Sequence, residues 1–212
     1  MAERSGTRRV RFAAFMSWLV SGTLNCLYRV RVSGTAHVPQ SGPFILIANH
    51  GHVFDPLVIH RHVAPWVHWV TKRELFDNPV IRFVLRGVGT IPFNRESLDV
   101  AALRTIIRVV KEDGVVGIFP QGGRVVPEDR DRVLPKEATA HLARRFKLPI
   151  VPVAVANEFR LFGKTRPHLI FGPPFTTDTL SLNDEAAAVQ MMRVVYALMD
   201  QPYCPDYEVP QA

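Results

Sequence analysis

The sequence predicts an α/β domain in which a mixed, largely parallel sheet is covered by helices. Three observations predict it. Short apolar runs alternate with amphipathic stretches along the chain, and each conspicuous polar motif follows one of those apolar runs. A length of 212 residues suffices for one sizeable core but falls short of two independent ones. Composition is that of a folded chain, with 47% hydrophobic and 21% charged residues, which excludes intrinsic disorder away from the ends.

The first element is an appendage, residues 1–28. Arg4, Arg8, Arg9 and Arg11 precede a stretch rich in aromatic and aliphatic side chains, Arg29 and Arg31 follow it, and the chain carries a formal charge of +7. Such a balance suits nucleic acid or an anionic membrane. The run Phe15-Met16-Ser17-Trp18-Leu19-Val20 favours lipid, because an arm that grips a duplex has no use for so much apolar area. Ser17, Ser21, Gly22, Thr23 and Asn25 interrupt the apolar residues, so the segment reads as an interfacial helix or helical hairpin ahead of a spanning or signal segment, with a helix packed on the protein's own surface as the other reading. Attachment to the cytoplasmic face of the cell membrane, peripheral or monotopic, follows, and no nucleic-acid partner is expected. Cys26 and Cys204 stand too far apart for a CxxC pair, which argues against structural zinc and against a disulfide scaffold.

Strands are expected over residues 29–34, 44–48, 66–70, 88–92, 115–119 and 150–154, with 169–171 adding an edge strand. Helical patterns fall between them, over 56–62, 79–85, 98–111 and 136–146, with Ser97 as cap of the third and a C-terminal helix over roughly 181–199. The domain is bounded at 29–202, and 203–212 form a tail. Chemistry in open α/β sheets gathers at the carboxyl ends of strands. Polar motifs after the strands therefore converge in space.

The strongest of these motifs is Asn49-His50-Gly51-His52-Val53-Phe54-Asp55, directly after an apolar strand. Residues five apart sit about 140° apart around a helix, so His50 and Asp55 can meet only if the chain bends between them. Gly51 supplies the bend, and a helix beginning at Asp55-Pro56, with Asp55 as cap, completes a strand, turn and helix. The carboxylate then holds one imidazole nitrogen while the other faces the cleft. An imidazole exchanges protons close to neutral pH, which makes His50 a general base and Asp55 the group that orients it. No serine or cysteine occupies a convincing elbow, so the nucleophile belongs to the substrate and no covalent enzyme intermediate is expected. His52, His60 and His62 invite a metal reading, but no His-Glu-x-x-His spacing accompanies them, and neither metal nor other cofactor is expected.

Three cations fall in loops after strands: Lys72, Arg95 and Arg124. Around a neutral histidine they describe a pocket for a phosphorylated substrate, Arg95 and Arg124 with the rigid guanidinium fork that suits phosphate. Lys72 pairs equally well with Glu74. In Phe119-Pro120-Gln121-Gly122-Gly123-Arg124 the glycines permit a tight turn with inward N–H groups, and Gln121 can offer a hydrogen bond to a substrate oxygen. Neither a nucleotide P-loop nor a GxGxxG fingerprint is present.

With these residues in place the chain resembles the glycerolipid acyltransferases, the family that includes 1-acylglycerol-3-phosphate O-acyltransferases. His50 to Asp55 is similar to that family's His-x4-Asp block, and Gly89 to Arg95 resembles its Gly-x-Ile-x-x-x-Arg block. Phe119 to Arg124 resembles Phe-Pro-Glu-Gly-x-Arg, Val151-Pro152-Val153 resembles Val-Pro-Val, and Lys72-x-Glu74-Leu75 has the look of the intervening segment. Four blocks in order are a specific signal. The resemblance implies transfer of a fatty acyl group from acyl-CoA or acyl-carrier protein to a lipid or glycerol hydroxyl at a membrane surface, with the free hydroxyl of 1-acylglycerol 3-phosphate as the leading acceptor. It implies that Arg95, with Lys72 and Arg124, binds acceptor phosphate, that Gln121 and Gly122 stand at acceptor-binding positions, and that Pro152 shapes the pocket wall. Gln121 departs from the family's glutamate and opens a second reading, the same chemistry on a glycolipid, a glycosylated carotenoid or another lyso-lipid. A non-catalytic lipid-binding protein and a thioester hydrolase complete the alternatives.

Overall fold

The computed structural model describes residues 19–94, 99–157 and 166–205. Arg4, Arg8, Arg9 and Arg11 of the basic end lie outside the described residues, as do Arg95, the expected cap Ser97 and most of the expected tail. Among the described residues no helix is long and apolar enough to cross a membrane.

The chain is helical over residues 19–28 (α1) and then alternates strand and helix. The order is β1 (Arg31–Ser33), β2 (Ile45–Ala48), α2 (Asp55–His60), β3 (Val67–Lys72), α3 (Pro79–Gly87), β4 (Ile91–Phe93), α4 (Val100–Lys111), β5 (Val115–Ile118), α5 (Ala138–Phe146), β6 (Ile150–Ala156), β7 (His168–Phe171) and α6 (Asp184–Ala197). Seven strands form one sheet in the order β1-β7-β6-β2-β5-β3-β4. Strands β2 to β6 run parallel to one another, and the antiparallel pairing of β7 with β6 makes the sheet mixed. The expected α/β sheet is therefore present. The last strand is not at the edge: β7 lies between β6 and β1, because β1 pairs with it in parallel.

Two apolar clusters flank the sheet. Ile45, Ile47, Val116 and Ile150 join side chains of α4, α5 and α6, whereas Leu46, Ala48, Trp69 and Val153 join Leu24 of α1 and Val58 and Ile59 of α2. Successive strand residues thus serve opposite faces, as the pleat demands, and central strands buried on both faces read as unbroken apolar runs. Helix α1 is more than an appendage, since Leu24 and Ser21 are buried and Asn25 Oδ1 meets His62 Nε2 at 2.9 Å. Helix α4 starts at Val100, where Asp99 accepts from Ala102 N and from Asn94 N, each at 2.9 Å. Both bonds, that to Ala102 foremost, hold the Asp99 carboxyl below the usual range. Tyr203, assigned by sequence to the tail, is buried and stacks on Tyr196 at 5.1 Å.

Candidate active site

Parallel strands β2, β5 and β3 deliver their carboxyl ends side by side. At the exit of β2, Asn49 extends the ladder with its side chain, donating to Val155 O at 3.0 Å and accepting from Val155 N at 2.8 Å. The next residue, His50, is thereby placed beyond the sheet's edge. Its carbonyl accepts from Val125 N at 2.7 Å, which ties the loop after β5 to the same turn.

His50 Nδ1 lies 2.7 Å from Asp55 Oδ2, and the His50 side chain retains 16% exposure while that of Asp55 retains none. Asp55 does not cap its helix as the sequence reading had it. It is the first helical residue, after Phe54, and its carboxylate folds back to accept from Gly51 N at 2.9 Å and His52 N at 2.8 Å. One oxygen thus gathers three donors, and Nδ1–H donation to it leaves His50 Nε2 as the nitrogen with a free lone pair.

The ring is also held on its face. His50 stacks on Phe119 at 4.0 Å between centroids, and Phe119 stacks on Trp69 at 4.8 Å. Gly117 makes room for this pile: it pairs with Trp69 across β5 and β3, and a Cβ on it would fall 2.6 Å from the indole. Phe119 opens a motif visible in sequence, but its stacking between His50 and Trp69 was not, because the register that brings the rings together is set by strands far apart in the chain.

A cavity of about 1670 Å³ opens at His50. Val53 and Leu57 line it from one side of the sheet, Ile106 and Leu142 from the other, and α3 from outside. Lys72, Gly122 and Arg124 reach its wall, together with Lys136, which sequence reasoning passed over because a lysine opening an amphipathic helix reads as solvated. Lys72 also pairs with Glu74 at 3.2 Å across an exposed surface. Phe93 lines the cavity, two residues before Arg95, which is outside the described residues.

Two residues expected at the cavity are elsewhere. The Gln121 side chain is buried and faces inward, its Oε1 accepting from the Tyr196 hydroxyl at 3.2 Å and its Nε2 reaching Val133 O at 3.5 Å. Gly122, at φ 76°, turns the chain so that the glycines face the cavity and the amide does not. Pro152 is interior to β6 between β2 and β7, packed under Gly172, and contributes nothing to the cavity wall. Among the described residues no cluster of histidine, cysteine and carboxylate could hold a metal.

A family model described as Acyltransferase matches residues 29–156. The chain is 31% identical over 149 residues to the 1-acyl-sn-glycerol-3-phosphate acyltransferase of Bacillus subtilis, covering 68% of this chain and 73% of that protein. It is 32% identical over 139 residues to the 1-acyl-sn-glycerol-3-phosphate acyltransferase of Borreliella burgdorferi, covering 64% of this chain but only 54% of that longer protein. In fold it is similar to the crystal structure of the 1-acyl-sn-glycerophosphate (LPA) acyltransferase from Thermotoga maritima, with a TM-score of 0.65, 22% identity, and coverage of 89% of this chain and 86% of that one.

Proposed function

The chain belongs to the acyltransferase family, and from that membership we propose that it moves a fatty acyl group from acyl-CoA or acyl-carrier protein to the free hydroxyl of 1-acylglycerol 3-phosphate. The acceptor is the one named for the relatives in Bacillus subtilis and Borreliella burgdorferi. One observation carries the mechanism: His50, oriented through Nδ1 by a carboxylate that is itself pinned by two backbone N–H groups, fronts a large and mainly apolar cavity.

His50 Nε2 takes the proton of the acceptor hydroxyl as its oxygen attacks the thioester carbonyl. Asp55 stabilises the imidazolium that forms. Collapse of the tetrahedral intermediate breaks the C–S bond, and the proton held on Nε2 returns to the leaving thiolate, so the histidine ends as it began. Lys72, Arg124 and Lys136 on the cavity wall, with Arg95 beyond the described residues, supply charge for the acceptor phosphate. The transfer is direct and needs no resident cofactor. Because the Gln121 amide turns away from the cavity, its departure from the family glutamate offers no reason to prefer an acceptor without phosphate. We place the reaction at a membrane surface because acceptor and donor both carry fatty chains, and on its cytoplasmic face because basic residues flank the N-terminal segment.

The test is turnover of labelled acyl-CoA and acyl-carrier protein by the purified full chain, with 1-acylglycerol 3-phosphate beside lyso-lipids lacking a terminal phosphate. His50→Ala is expected to lower kcat by about 10³-fold, within the range general-base catalysis supplies, with an unchanged circular dichroism spectrum. Retained turnover in that variant, or a preference for a phosphate-free acceptor, would falsify the assignment.

A further inference from the structure

Apolar side chains left open to solvent gather on one rim. Val20, Val53, Leu75, Phe83 and Val84, between 41 and 67% exposed, all border the cavity that holds His50. Val80, at 71%, extends the same surface along α3 without entering the cavity wall. Helix α3 is unusual in the fold. It buries no residue, and the element it chiefly packs against is the single turn that precedes it. Asn78 caps it, accepting from Val80 N and Ile81 N, and Pro79 opens it, so its shape is locally encoded. A nine-residue helix is nevertheless too short to be stable in water on local signals alone. An exposed apolar surface of this kind marks a contact site.

Charge identifies what makes the contact. Within α3 the charged residues are Arg82 and Arg86, both at the cavity's rim, Arg82 also donating to Asp77 O, and there is no carboxylate. From residue 72 to 87 four cations face two carboxylates, and one of those, Glu74, is paired with Lys72. A second copy of the chain would set these arginines against themselves. An anionic bilayer answers both the apolar face and the cations.

We infer that α3 is a membrane-docking element, its Val80, Phe83 and Val84 side chains entering the interface of an anionic bilayer so that the cavity opens directly onto lipid. Continuity of the rim with Val20 of α1 makes the two helices parts of one docking face. The inward side of α3, at Ile81 and Leu85, lines the cavity. A lyso-lipid lying in the leaflet therefore slides past α3 to His50 with its chain never crossing water, a consequence that rests on the function proposed above.

The test uses the full chain with vesicles of phosphatidylcholine and phosphatidylglycerol. Val80→Gln removes apolar area without adding charge, and is expected to lower vesicle partitioning about tenfold. Leu182→Gln, at a 91% exposed position off the rim, is expected to leave partitioning unchanged. In the same variants, turnover of a vesicle-embedded acceptor falls with Val80→Gln while turnover of a short-chain, water-soluble acceptor does not. Equal partitioning of Val80→Gln and wild type overturns the inference, as does a lipid-free dimer that Val80→Gln dissociates, since the face would then belong to a second copy. Absence of turnover with either acceptor refutes the acyl-transfer assignment alone, and the partitioning arm still decides the role of α3.

Discussion

Asp55 concentrates its bonding on one oxygen. Oδ2 accepts from His50 Nδ1, Gly51 N and His52 N, while Oδ1 is buried with no hydrogen-bond partner among the described residues. An asparagine there can keep all three donors by placing its carbonyl oxygen at the Oδ2 position, with its amide in the place of Oδ1. Geometry survives and the charge facing the imidazolium is lost. Asp55→Asn is therefore expected to lower kcat by about 10²- to 10³-fold, less than the loss known where an exchanged carboxamide inverts the histidine tautomer, with the thermal midpoint falling only a few degrees. A kcat within threefold of wild type would show that His50 needs no carboxylate. Gln121 is the opposite case, a departure from the family pattern whose effect is structural. In Gln121→Glu a carboxylate oxygen would face Val133 O in a site 4% exposed, at a cost of about 1–3 kcal/mol. Burial raises the folded-state pKa of that carboxyl above its unfolded value, so the destabilisation is full at pH 8 and is relieved as pH falls toward 5. Paired thermal melts at the two pH values measure this, and acceptor preference is expected to stay that of wild type.

At the scale of elements, the turn after β2 depends on a pile of three rings whose base is a missing side chain. Gly117→Ala puts a methyl group about where the Trp69 six-membered ring now lies, and Val67 closes the other way out at 2.8 Å. The indole must shift, and Phe119 and His50 shift with it. Overpacking of this kind costs about 1–3 kcal/mol, so a midpoint lowered by roughly 2–10 °C and an altered near-ultraviolet tryptophan band are expected; a variant as stable as wild type with an unchanged band would mean the stack is loose. The strands that bear this site were legible in sequence because buried parallel strands are continuous apolar runs bounded by Gly, Pro and polar turns. The His50 to Asp55 fold-back was legible because separation five demands a bend and Gly51 offers one. What could not be read was whatever depends on register or on the direction of a turn. The interior place of β7 follows from its antiparallel pairing with β6 and from the return of β1 beside it. The inward aim of Gln121 goes with its contacts to Val133 and Tyr196, partners 12 and 75 residues away that only the fold brings to it. Pro152 looked like a pocket residue because it stands in a motif, yet it sits inside the sheet, where the pairing of β2 with β6 puts it. Lys136 carried no pattern to separate it from a solvated lysine.

Across the whole molecule, the face of the sheet that carries α1 and α2 is set apart by its histidines. His60 stands edge-on to Trp66 at 4.3 Å, and burial, then the neighbouring His68, holds its pKa down at about 4. His62, which meets Asn25 of α1, is also lowered, first by burial and then by Arg61. Both rings are taken up neutral in the folded state and bind protons more readily in the unfolded chain, where an ordinary histidine titrates near 6.5. Between pH 6.5 and about 4 the unfolded state therefore holds more protons, and stability falls as pH is lowered through that window. Above 6.5 the full contribution is present, and below about 4 the loss attributable to His60 is complete. Carboxylates give most of their own acid sensitivity at lower pH, which leaves the upper part of the window to the histidines. Urea midpoints measured at pH 7.5, 6.0 and 5.0 are expected to fall steadily for the wild-type chain. His60→Phe keeps an aromatic edge against Trp66 and removes the titrating group, so its midpoint is expected to change much less over the same range, with His62 supplying the remainder. Equal slopes for wild type and His60→Phe would show that acid unfolding starts elsewhere than at the packing of α1 and α2 on the sheet.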